Sequence, residues 1–496
     1  DGAEHADPPR HRAGQRPRAP EPVQLRPGAL RDRARGAGGA GRLRRAVTRS
    51  VGGGATTTSA GATTSATSTT TSTAASAADT TASTGAGSTA ASTSGGKTKL
   101  TIWHIQTGEV ADTIQASVDR FMKANPQYDV TVVQKQNDTY KTDLSLAINA
   151  GTMPDVFITW GGQTMYDYVD EGLVADLTSY MKADGYADKF LDAAIKQCTY
   201  NDKIVAVPVE NVSVAGFFYN KEVFSKYNLS EPKTIADLEK ICDTLVANGV
   251  KPFALANATK WTGSMYFQYL ATRYGGLQPF ADAASGTGSF ENDAFKYAGT
   301  TIQDWVNKGY FCDGFNGMDD DSGQARMLFY NGDAAMDLMG SWFISNVSDE
   351  SSMIEDGTLG FFPFPSLDTS TADQTYTLGT LGDNLYSVSA KCTDQEGAFK
   401  LIQSLLDDTA VKERTAEGKI IPFKDFKSDN EVTNKVLESL NSAAGVQLWY
   451  DQYLPSEVAE VHKDTCQQIF GLTMTPEQAD TTLQTAMKDY LAKNGK

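Results

Sequence analysis

The chain has 496 residues and a formal net charge of −17; its first 96 positions read unlike folded protein, which leaves about 400 residues for packed structure. That is too many for one comfortable core and predicts two lobes. From Lys97 onward, 28 Lys and 4 Arg stand against 55 Asp and Glu, a balance that disfavours nucleic acid, whose phosphates need a basic face.

Residues 1–50 hold 12 of the 16 arginines and no lysine. They carry neither an initiating Met nor an apolar signal core. The arginine-only usage reads as an altered frame over the true leader, with a genuine basic arm as the rival reading. Residues 52–96 are almost wholly Ser, Thr, Ala and Gly. Such a segment cannot bury enough apolar area to offset chain entropy and is expected to be disordered. It serves as a flexible tether or as an O-glycosylated stalk. Gly96-Lys97-Thr98 imitates the end of a P-loop, but Ala91 stands where the pattern needs Gly and no strand precedes it. No run of ~18 apolar residues suggests a transmembrane helix.

The packed part opens with Lys99–Ile105, an apolar run consistent with a strand. A helical stripe follows through Ile114, Val118, Phe121 and Met122, stopped at Asn125-Pro126. Val130–Val133 is the next strand, Tyr140–Ala150 a helix punctuated by Gly151, and Val156–Trp160 a third strand turning at Gly161-Gly162-Gln163. This succession predicts a doubly wound α/β lobe. Phe217–Phe224 runs from strand into helix. Thr234 is placed to cap a helix whose stripe is Leu238, Ile241, Cys242 and Leu245. Residues 261–309 read as helical with a break at Gly275-Gly276, and Phe361–Pro365 as a short strand turning into a crossing between lobes. Glu396–Leu406 and Pro476–Leu491 read as amphipathic helices. Cys198, Cys242, Cys312, Cys392 and Cys466 are scattered, form no CxxC pair and read as small buried hydrophobes, with one disulfide left possible.

Two stretches stand out. Gly151–Gly162 and Tyr330–Trp342 each run an apolar segment into a Trp beside Gly or Ser, so a large ring stands where the backbone bends open. With Phe217–Phe224 between them, this ordered set resembles the extracellular solute-binding proteins of carbohydrate ABC importers, of the maltodextrin-binding type. The resemblance covers nearly everything after Gly96. It implies a hinged, two-lobed α/β periplasmic-binding-protein fold of type II. It also implies lobe one at 98–212 and 370–418, and lobe two at 213–366 and 419–496, after a leader at 1–51 and a linker at 52–97. The implied partners are a carbohydrate and the permease subunits of an ABC transporter, with the protein a monomer, outside the cell, tethered as a lipoprotein and needing no cofactor.

Ligands in open α/β sheets sit beyond the carboxyl ends of strands. A sugar offers apolar faces and a fringe of hydroxyls, so its site wants aromatic plates and planar hydrogen-bonding side chains. By resemblance, Trp342, Trp160 and Trp449 occupy stacking positions, and Trp261, in a polar stretch, joins them. Trp103 and Trp305 read as core. Asp383 and Asn384 follow a Gly-rich turn like one in the family. Glu210 and Asn211 approach the first crossover, and Gln106, Thr107 and Gln163 lie in loops after strands. Asp319-Asp320-Asp321 imitates a calcium loop, but its Gly is one residue late and no closing Glu follows, so it reads as a solvated loop. With only His104 and His462 in the packed part, and no HExxH or GxSxG, enzyme readings fare poorly. Two alternatives stay open: a secreted glycosidase using Glu210 with Asp383, and a tethered carbohydrate-binding adhesion module.

Overall fold

A computed structural model describes residues 96–495; the Arg-rich segment, and the Ser/Thr/Ala/Gly segment up to residue 95, lie outside the described residues. In chain order the strands are β1 (Thr98–His104), β2 (Tyr128–Gln134), β3 (Val156–Thr159), β4 (Thr199–Tyr200), β5 (Lys203–Ile204), β6 (Val207–Pro208) and β7 (Val212–Asn220). There follow β8 (Lys251–Ala254), β9 (Ala334–Gly340), β10 (Leu359–Phe362), β11 (Thr377–Leu381), β12 (Leu385–Val388) and β13 (Val446–Gln447).

Two mixed sheets, each with its own core, make the two lobes. The first runs β2-β1-β3-β12-β6, the second β13-β11-β7-β9-β8 with β10 also on β7. In the first, β1 pairs parallel with β2 and β3, and β12 is antiparallel to β3 and β6. The helices between these strands form as their patterns dictate. Gly108–Ala124 buries Ile114, Val118 and Phe121 and stops at Asn125. Asn137–Ala150 ends on Gly151 in the left-handed region, φ 70°, where its N–H takes up the last helical carbonyls.

The second sheet is centred on β7, buried along all nine residues, as expected for a strand covered on both faces. Phe217 on β7 packs within 5.4 Å of the ring centres of Phe253, Phe362 and Phe364. Thr234 caps the helix Ile235–Ala247 by accepting the Asp237 N–H at 3.1 Å. Trp305 is core, its Nε1 donating to Glu239 at 2.8 Å. Trp103 is only half-buried, with the Lys135 ammonium 4.2 Å from its ring centre. All five cysteines are buried and unbridged.

The chain crosses between the sheets elsewhere than at Phe361–Pro365. β10 and β11 both belong to the second sheet, because Phe361, Phe362 and Phe364 bury in its core. The turn after β10 is held by buried Arg273, which donates to the carbonyls of Phe364, Pro365 and Tyr376 at 2.7–3.0 Å. The stretch from 370 to Leu381, expected in lobe one, therefore runs with lobe two, where Leu378 and Leu381 pack. The crossings are β6 to β7 through Glu210 and Asn211, β11 to β12 through Asp383 and Asn384, and a third that begins at Lys419 and Ile420 and leaves the first lobe only after Phe423, which still pairs with Phe190.

Asn211 fastens the first crossing to the third: its Oδ1 accepts the Ile420 N–H at 2.7 Å, and the Val212 N–H donates to the Ile420 carbonyl at 2.7 Å. Beside it, the fully buried Glu210 carboxylate meets Arg414 at 2.6 Å and accepts the Tyr386 hydroxyl at 2.8 Å. Burial opposes ionisation of Glu210, but Arg414, Lys419 and the Tyr386 bond outweigh it and hold the carboxyl below its usual range. Removing one member of such a pair strands the other charge, at a cost of ~3–5 kcal/mol, whereas removing both can be near neutral. Glu210→Leu should therefore lower stability in denaturant titration by about that amount, and Glu210→Leu with Arg414→Met should recover most of it.

Candidate functional site

A cleft of about 480 Å³ opens between the two sheets, where the crossings form its floor. Strand ends aim its aromatic walls. Trp160 follows β3 in the first lobe; Trp342 follows β9 and Trp449 follows β13 in the second; Trp261 opens the helix Trp261–Gly275. All four line the cleft. Trp342 is the centre of the second lobe's wall, 5.7 Å from Trp261 and 5.8 Å from Trp449 by ring centres, at 68° and 66°. Trp160 stands edge-on to Tyr140 at 5.6 Å, with the Lys141 ammonium 5.1 Å from its ring centre.

The Trp342 ring folds back over Gly340, where a Cβ would collide with the ring's Cζ3, Cη2 and Cε3 atoms. Glycine at 340 is thus a condition of the ring's position. Gly340→Ala should leave far-UV circular dichroism intact, cost ~1–3 kcal/mol through overpacking and shift tryptophan fluorescence as Trp342 moves.

Polar groups complete the lining. Asp383 and Asn384, at the second crossing, and Gln106 and Thr107, just before the helix Gly108–Ala124, face the cleft as the sequence suggests. Lys419 lies on the floor, its Nζ donating to Gln106 Oε1 at 3.4 Å. Burial pushes the Asp383 carboxyl up to about 6 against the pull of Lys419. Buried polar atoms normally have partners. Asn384 Oδ1, Ser345 Oγ, Asp320 Oδ1 and Gln452 Oε1, all on cleft-lining residues, have none.

Three expected site residues fall outside the cleft lining. Glu210 is sealed behind Arg414 and Tyr386, so it cannot act with Asp383 as a glycosidase pair. Asn211 is spent on Ile420 and on Ser341, to whose Oγ its Nδ2 donates at 3.2 Å. Gln163 begins the helix Gln163–Asp170, and its side chain runs along that helix to donate to Asp167 at 2.7 Å.

Several lining residues were not read from the sequence. Asp138 and Lys141 belong to the first turns of the helix Asn137–Ala150, where an acidic residue ordinarily signals only the helix dipole. The Asp319–Asp321 segment is not simply solvated: Asp320 and Asp321 line the cleft, with Asp320 3.7 Å from Arg326. Burial, opposed by Arg326, lifts the Asp320 carboxyl to about 7. Lys419 follows Gly418 and precedes Ile420-Ile421-Pro422; a lone cation against an apolar run was the available signal.

The lobes also touch around the cleft. The Glu109 N–H donates to Asp349 at 3.2 Å and the Lys141 ammonium to the Asp451 carbonyl at 3.0 Å. A Cβ on Gly162 would lie 2.5 Å from the Gln452 carbonyl oxygen, so that turn rests directly on the opposing backbone. Fold and site together define a two-lobed binding protein with its ligand space between the lobes.

The chain belongs to the bacterial extracellular solute-binding protein family, whose model matches residues 107–412. It is 30% identical over 243 residues to a probable sugar-binding periplasmic protein of Mesorhizobium japonicum, covering 48% of this chain and 57% of that one. It is 25% identical over 367 residues to the multiple sugar-binding protein of Streptococcus mutans, covering 72% and 84%. The chain thus spans little more than half the length of the first of these curated relatives. Among solved structures, one described under xylan utilization by Caldanaerobius polysaccharolyticus superposes with a TM-score of 0.72 at 31% identity. It covers 78% of this chain and 99% of that one.

Proposed function

We propose that this chain is the substrate-binding component of an ABC importer, capturing an oligosaccharide by hinge closure and delivering it to membrane permease subunits. The observation that carries the reading is the set of four indoles, one from the first lobe and three from the second, on a single cleft. Flat indole faces suit the C–H faces of pyranose rings. Carboxylate and amide acceptors on the same walls suit hydroxyl donors, and hydrogen bonds with a charged partner contribute ~1.5–3 kcal/mol each. The volume of about 480 Å³ falls within the ~300–1,000 Å³ of ligand pockets and suits a short oligosaccharide better than a lone hexose.

Closure has a physical basis in the contacts across the cleft. The Glu109–Asp349 bond is exposed and the Lys141–Asp451 bond is part-buried. Both bonds are reached by solvent, and a ligand gripped from both sides shifts the balance of open and closed forms. The Ser/Thr/Ala/Gly segment supports a tether that keeps a monomeric receptor near the membrane, lipid-anchored outside the cell. Nothing in this scheme calls for a cofactor or for turnover of the sugar.

A thermal-shift screen across neutral glycans tests the reading: at least one oligosaccharide class should raise the melting temperature without being hydrolysed. For that glycan, Trp342→Ala should raise Kd about tenfold or more while the ligand-free protein melts close to wild type. An unchanged Kd would remove Trp342 from the site, and a panel without any stabilising glycan would refute the function.

A further inference from the structure

Behind the second lobe's wall, Gln268, Ser264 and His462 are joined in one hydrogen-bonded chain. Trp261, Ser264, Met265 and Gln268 fall at helical spacing on the helix Trp261–Gly275 and so share one of its faces. Trp261, Met265 and Gln268 line the cleft, while Ser264 is fully buried. Gln268 has the chemistry to meet a sugar hydroxyl, yet both ends of its amide are taken. Its Nε2 donates to Ser264 Oγ at 2.7 Å, and its Oε1 accepts the Tyr450 N–H at 3.1 Å. Ser264 Oγ in turn lies 2.7 Å from Nε2 of the buried His462, on the helix Ser456–Phe470.

The protons in this chain have one order that satisfies every group. Ser264 Oγ accepts from Gln268, so its own proton goes to His462 Nε2, which must then be an acceptor. A neutral imidazole meets that condition, and burial, with Lys463, pushes the His462 ring down to about 3.

The far end of the chain acts on an indole. Tyr450 opens the short helix Tyr450–Tyr453, and its N–H belongs to a first turn whose donors lack helical partners. Trp449 holds the cap position, but its side chain makes no capping bond. Gln268 supplies the acceptor from a different helix. The Tyr450 ring is fixed separately, stacked on Phe280 at 3.6 Å. The bond to Gln268 fixes the rigid peptide plane that joins Tyr450 to Trp449. That plane sets how the Trp449 ring stands in the cleft, 5.8 Å from Trp342 by ring centres.

Resting on the saccharide reading above, we infer that Gln268 is a positioning residue for binding: wired through Ser264 to His462, it holds the Trp449–Tyr450 peptide plane and so sets the face that Trp449 turns to the sugar. It spends no hydrogen bond on the sugar itself.

Fluorine NMR of the full chain labelled with 5-fluorotryptophan tests the positioning without ligand. Gln268→Met keeps the length of the side chain and removes both bonds; Ser264→Ala cuts the chain one link away from the cleft. Each should move the Trp449 resonance, assigned through Trp449→Leu, and leave that of Trp103, on the first lobe, in place. With the neutral oligosaccharide that the thermal-shift screen selects, each should raise Kd about fivefold or more, the size of one coupled contact. Neither should raise it further in a Trp449→Leu background, because the effect runs through that ring. A Trp449 resonance unmoved in both variants, an unchanged Kd, or an equal loss with and without Trp449 would each overturn the inference. The last result would make Gln268 a direct contact of the sugar. Should Gln268→Met fail to fold, Ser264→Ala, which lies outside the cleft lining, is read by the same criteria. If the resonance moves and no glycan binds, the positioning of Trp449 stands and the receptor reading alone falls.

Discussion

The buried pairing of Glu210 with Arg414 sits where the chain passes three times between its two sheets. Both side chains are fully buried, and each would be untenable alone. Tyr386, on β12, adds its hydroxyl; Arg414 also donates to the Leu405 carbonyl at 3.1 Å. The cluster therefore fastens the first crossing to β12 and to the helix Asp408–Ala416, and Asn211 carries the link on to Ile420. A hinge must be rigid in its own packing for the lobes to move as bodies about it. Here that rigidity is electrostatic at the centre and hydrogen-bonded at the margin.

From this centre the site follows. With the crossings fixed, Asp383 and Asn384 sit on the cleft floor beside Lys419, and strands paired beside the crossing strands end at the cleft. β3 and β9 each end at a tryptophan, and the short β13 ends at Leu448-Trp449. The second lobe's wall is set by backbone space as much as by side chains, since Trp342 can lie against its own strand only because residue 340 has no Cβ. Sequence, backbone and ligand surface are joined at that position.

The tryptophan walls were legible because their signal is local: an apolar run, a small residue and a ring, at the end of a strand. The first lobe's strands and helices were legible for the same reason, since period and punctuation are short-range. Glu210 and Asn211 were misread because a polar pair after Pro208 looks like loop chemistry, whereas three chain crossings bury it. No single stretch of sequence shows that those crossings converge. Gln163 was misread because its side chain follows its own helix to Asp167. Asp138 and Asp321 were passed over because each reads as ordinary solvated charge, and both stay exposed while lining the cleft. Phe361–Pro365 looked like an exit from the lobe because prolines punctuate it, but its rings and the guanidinium of Arg273 keep it inside.

The account rests on two bodies that close on a sugar, so scattering in solution addresses it most directly. Small-angle X-ray scattering of the full chain, with and without a saturating oligosaccharide that binds one to one, should show a smaller radius of gyration in the bound form. Tight binding with an unchanged radius of gyration would contradict closure and leave a rigid binding surface in its place.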